Sequence, residues 1–78
     1  MSKRLRINIR IDDADMALAG FPFMDDQFVI QELYGDACVV EIDLADRGDT
    51  TAAQEQFLNT SAAVVGYSVE QGDLHNDL

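Results

Sequence analysis

"QFVIQELYGDACVVEIDL", residues 27–44, is the stretch whose reading decides the fold. Two readings compete for its first half. As a β-hairpin, Gly35-Asp36 supplies a two-residue turn with glycine in the first central position, where a type II′ turn needs it. That pairing sets Leu33 opposite Cys38, Gln31 opposite Val40 and Val29 opposite Ile42 on one face. As a helix over 26–34, started by Asp26 and stopped by Gly35, the stretch gathers Val29, Ile30, Leu33 and Tyr34 on one side and strands Phe28. Phe, Val, Ile and Tyr fit a pleated surface better than a helical one, so the hairpin is the favoured reading.

The flanks make the hairpin part of a larger pattern. Upstream, "KRLRINIRI" alternates strictly, with Leu5, Ile7, Ile9 and Ile11 on one side and Arg4, Arg6, Asn8 and Arg10 on the other. A period of two marks a half-buried strand. "DDADMALAG" reads as a short helix capped by Asp12 or Asp13, ended by Gly20 and barred from continuing by Pro22. Downstream, "ADRGD" is a polar loop. "TTAAQEQFLNT" is a helix with Asp49 or Thr50 as its cap, and Thr51-x-x-Gln54 resembles a capping box. "SAAVVGYSVE" is a last strand, and residues 73–78 read as a tail that frays.

The order is strand, helix, strand, strand, helix, strand. It predicts a single small α+β domain over residues 1–72, with an antiparallel sheet and two helices on one face. That is the βαββαβ ferredoxin-like arrangement. The helical reading of 26–34 leaves three strands and an extra helix instead. Seventy-eight residues leave no room for a second domain, and the core must be thin. Such a fold hosts many activities and by itself names none.

Charge is distributed unevenly. Net charge is −10, from 5 basic and 15 acidic residues. Lys3, Arg4, Arg6 and Arg10 lie in the first ten residues, and the rest of the chain sets only Arg47 against all the acids. If the arginine strand is central, Glu41 and Asp43 of the neighbouring strand share its open face and neutralise Arg4, Arg6 and Arg10. The loop acids then remain. Topology gathers Asp12, Asp13, Asp15 and Asp36 at one end of the sheet, and Asp25, Asp26, Asp46, Asp49 and Asp73 at the other.

Catalysis and metal chemistry lack the residues they need. The one histidine, His75, falls in the expected tail, where it cannot be positioned as a general base. Cys38, the one cysteine, sits among strand formers as a buried thiol. "DLADRGDTTAAQ" has glycine at the sixth position of a calcium loop, but Ala45, Arg47 and Gln54 occupy ligand positions. No enzyme, cofactor or metal site is expected. "MSKRLRINIR" has no apolar stretch after its basic residues, and no apolar run approaches the ~20 residues needed to span a bilayer, so a cytoplasmic protein with no membrane partner is expected.

A compact anionic surface repels nucleic acid and is drawn to basic protein surfaces. With Phe23 and its neighbours Phe21 and Met24 beside Asp25 and Asp26 as apolar anchors, such a surface can occupy a site built for DNA. In size, charge and single-domain organisation, with "IDDADMALAGFPFMDD" (11–26) and "EIDLADRGD" (41–49), the chain resembles the small acidic anti-CRISPR proteins of phages and mobile elements. Within these it is most similar to inhibitors of type I CRISPR-Cas surveillance complexes. The strongly basic first strand departs from a uniformly acidic mimic. The resemblance implies a DNA mimic acting in a host bacterial cell, which binds a DNA-recognising Cas subunit and blocks target DNA. The other classes compatible with this charge are an immunity or antitoxin-like cover for a basic toxin, and an acidic domain whose charge serves solubility.

Overall fold

Strict alternation in residues 3–10 produces strand β1 (Lys3–Arg10), and its two faces organise the rest of the chain. A computed structural model describes residues 3–45 and 47–75, with the backbone alone described for residues 32–34. After β1 come a 3-10 turn (Ile11–Asp13), helix α1 (Ala14–Gly20), strands β2 (Phe28–Tyr34) and β3 (Ala37–Ala45), helix α2 (Ala52–Thr60) and strand β4 (Val64–Gln71). The sheet order is β2-β3-β1-β4, with every neighbouring pair antiparallel. This is the ferredoxin-like arrangement that the order of elements predicts. The helical alternative for 26–34 is excluded, because residues 28–34 of that segment form strand β2.

The hairpin turns at Gly35-Asp36 as expected: Gly35 has φ of +53°, and Tyr34 pairs with Ala37. The register beyond the turn differs from the expectation by one residue. Phe28, not Val29, faces Ile42; Ile30 faces Val40; Gln31 faces Val39; and Glu32 faces Cys38. The pairing skips a residue between Glu32 and Tyr34, and one extra residue in one strand exchanges the two faces of everything beyond it. Phe28 and Ile30 therefore lie on the helix side, while Val29 and Gln31 lie on the open side with Val39 and Glu41.

Leu5, Ile7 and Ile9 of β1 and Cys38, Val40, Ile42 and Leu44 of β3 form one buried layer, with the Cys38 thiol inside it as expected. Ala14, Ala17 and Phe21 from the α1 side and Leu58 from α2 cover that layer. The helix starts differ. Thr51, rather than Asp49 or Thr50, caps α2 and closes a full capping box with Gln54, the Gln54 N–H donating to Thr51 Oγ1 at 3.1 Å and the Thr51 N–H to Gln54 Oε1 at 3.0 Å. Asp13 occupies the cap position of α1 but makes no side-chain capping bond, contrary to expectation, because the chain enters through a 3-10 turn instead.

Beyond β4 the chain does not leave the sheet at once. Gly72, at φ +109°, turns it back, and a Cβ there would stand 3.1 Å from Arg4 Nη1. Asp73–His75 then forms a strap across the open face that reaches β3 and β2. Of the tail expected to fray over 73–78, residues 76–78 lie outside the described residues.

Candidate functional site

On the open face the basic residues of β1 are drawn inward. Arg4 is buried, with Nε 3.1 Å from Glu41 Oε2, Nη2 2.9 Å from Glu70 Oε1, and Nη1 donating to the Gln71 carbonyl. Arg6 Nη1 stands 3.3 Å from the same Glu41 oxygen. The expected neutralisation by Glu41 therefore holds for both arginines. It does not extend to Asp43, whose Oδ1 accepts from the Ala45 amide at 2.8 Å, nor to Arg10, which pairs across to Ala37 at the end of the strand.

Glu41 is fully buried although it lies on the open face, because the strap covers it. The His75 amide donates to Oε1 at 2.9 Å and its Nδ1 stands 2.6 Å from Oε2, while Gln31 Nε2 donates to the His75 carbonyl at 2.9 Å. Burial pushes the Glu41 carboxyl up, but the hydrogen bonds from the His75 amide and ring and from Arg4 outweigh it and hold the group below its ordinary value. His75, expected to be unheld, is thus fixed by its own backbone as well as its ring.

The end of the sheet where β1 begins and β3 finishes, here the far end, carries the residues favoured from sequence as partner-binding. Asp26 is not an open surface charge. Arg47 binds it through Nη1 at 3.1 Å and Nη2 at 2.9 Å, and Gln54 Nε2 donates to it at 2.9 Å while also bonding the Pro22 carbonyl at 3.0 Å. The hydrogen bond that Arg47 donates to Asp26 raises the Arg47 pKa against the opposing effect of burial. Asp49 accepts from the Thr50 amide at 2.8 Å and gives its carbonyl to Arg47 Nε at 3.0 Å. Phe23 is half-buried in a row of rings, 4.9 Å from Phe21 and 4.7 Å from Phe28 between centroids, so it packs rather than projects. Met24 and Asp25 form the exposed tip, with φ of +55° and +66°, a left-handed pair that non-glycine residues seldom adopt. Asp73 is exposed, and Asp46 lies outside the described residues.

At the near end, where β1 finishes, Asp12, Asp15 and Asp36 are exposed and Asp13 is half-buried. A bond from the Ile11 amide to the Asp36 carbonyl, 2.8 Å, ties the hairpin turn to the 3-10 turn and brings these four acids together. Among the described residues none of the four forms an ion pair. Beside them a groove of about 340 Å³ opens between α1 and the end of α2, with Met16, Ala17, Phe57 and Ala63 on its walls and Arg10 and Asp13 at its polar side. Met16 is 82% exposed. Sequence reasoning passed over it, although the helical spacing of Ala14, Ala17, Leu18 and Phe21 already sets Met16 on the opposite side of α1.

Comparison with known proteins finds no matching family model, no matching curated protein and no matching solved structure. Among the described residues no group of three His, Cys, Asp or Glu side chains is arranged to hold a metal ion, and no helix is long and apolar enough to cross a membrane.

Proposed function

We propose that this protein is an acidic inhibitor that occupies a basic, DNA-binding surface of a partner protein and so excludes the nucleic acid. The observation that carries this reading is the division of charge. Arg4, Arg6 and Arg47 are tied to Glu41, Glu70 and Asp26, while among the described residues Asp12, Asp13, Asp15 and Asp36 form no ion pair at one end. These three cations are matched by acids of the fold itself, and the net surface field stays negative.

Magnitudes decide how far charge alone reaches. Along its longest dimension of 32 Å the protein carries a net charge of −10, where duplex DNA of that length presents about 19 phosphate charges. At about half the density of DNA, the field steers encounter but does not by itself outcompete a duplex, so contact with apolar groups must add affinity. The resemblance to type I anti-CRISPR proteins makes a DNA-recognising Cas subunit the specific partner proposed.

The test is a mobility-shift measurement of target duplex on a purified type I surveillance complex, with and without this protein. The expected result is loss of duplex binding, relieved by raised salt. Unchanged duplex binding at low salt overturns the Cas assignment. Failure to retain any basic protein from a bacterial lysate at low salt, or retention that duplex DNA does not reverse, overturns the mimic itself.

A further inference from the structure

Two independent features coincide at the near end: an apolar groove between the helices, and carboxylates that form no ion pair among the described residues. Resting on the reading above, we propose that this groove is the docking site for a basic segment of the partner, which inserts an apolar side chain between α1 and α2 while its Lys and Arg residues meet Asp12, Asp13 and Asp15.

Size and polarity both fit that occupant. The groove's 340 Å³ lies at the small end of ligand clefts, which run about 300–1,000 Å³, and suits one or two side chains rather than a cofactor. Its apolar walls are Met16, Ala17, Phe57 and Ala63, with Ser61 beside them, and among the described residues no buried side-chain polar atom lacks a hydrogen-bond partner. Met16 is unbranched and exposed, so it can fold over an incoming side chain of variable shape. Asp12 and Asp15 are exposed on the segment that enters α1, and Asp13 lines the groove together with Arg10. The far end lacks this combination, because Arg47 and Gln54 already hold Asp26, and Phe23 is packed among other rings.

The experiment is an NMR titration of the isotopically labelled protein with two lysine-rich helical peptides of equal charge. One carries leucines along one face, and the other has serines in their place. The leucine peptide should bind about tenfold or more tighter, the return expected from burying one aliphatic side chain. Its shifts should centre on residues 10–18 and 57–63. Met16→Ser, at an exposed position, should remove most of that advantage without changing the spectrum elsewhere, and Asp12→Asn with Asp15→Asn should weaken both peptides alike. Equal affinity for the two peptides, or shifts centred on residues 23–26 and 47–51, overturns the groove while the basic-partner reading stands. If neither peptide binds at low salt, both fall.

Discussion

The two ends of the sheet carry similar clusters of aspartates and treat them in opposite ways. At the far end Asp26 is a bracket: it joins Arg47, the first turn of α2 through Gln54, and the loop after Pro22. At the near end the carboxylates of Asp12, Asp15 and Asp36 form no ion pair among the described residues, and an apolar groove lies beside them. A carboxylate with hydrogen-bonded partners contributes to stability, whereas an exposed one without them contributes field. Density of acidic residues along the chain does not distinguish the two, because the difference lies in whether a cation arrives from a distant segment.

Substitutions that separate paired from unpaired acids sharpen this contrast. The largest effect is expected at Glu41, the most buried carboxylate. Glu41→Ala takes from the buried Arg4 its buried counter-charge, leaving the half-exposed Glu70 opposite it, and should lower unfolding free energy by about 3 kcal/mol in urea denaturation. Its pH dependence has a definite sign. Because the folded carboxyl is held below its ordinary value of 4.5, its stabilisation is present above that pH and is lost as the pH falls through the folded value. Wild type should therefore lose stability below pH 4.5 more steeply than Glu41→Gln, and parallel acid limbs for the two would contradict the assignment.

Next in size is Asp26→Ala, expected to cost about 2 kcal/mol because it strips charge-assisted bonds from Arg47 and one from the buried Gln54. A loss under 0.5 kcal/mol would return Asp26 to the class of open surface charges and erase the contrast between the ends. Thr51→Ala, which opens the capping box of α2, should cost about 1 kcal/mol by thermal or urea melting. The smallest effect on folding belongs to the near end. Asp12→Lys and Asp15→Lys should stay within about 0.5 kcal/mol of wild type while abolishing retention by a basic partner. A destabilisation beyond 1 kcal/mol would mean that these acids too have a structural role.

Much of the fold was legible because β1 and the Gly35-Asp36 turn obey local rules: strict alternation for one, a glycine at the required position for the other. The Thr51–Gln54 box was legible for the same reason. The register of β2 was not, since an extra residue between Glu32 and Tyr34 leaves no mark in the hydrophobic pattern and yet exchanges the faces of Phe28 and Val29. Among the candidate site residues, the grouping by ends followed from topology alone, and the bond between Ile11 and Asp36 agrees with it. The capture of Asp26 by Arg47, 21 positions away, was hidden because long-range ion pairs depend on loop geometry. His75 was misjudged for a related reason: nearness to the end of a sequence says little about which backbone groups a segment meets.

The strap also has a kinetic consequence. Its bonds join His75 to Gln31 and Glu41, positions 44 and 34 residues apart, and they form only after the sheet has brought β2, β3 and β4 together. Contacts of that separation, made across a finished surface, are expected after the rate-limiting step of folding. His75→Ala should then leave the folding limb of a chevron unchanged and raise the unfolding rate, so that the last residues to settle act as a brake on the molecule's coming apart.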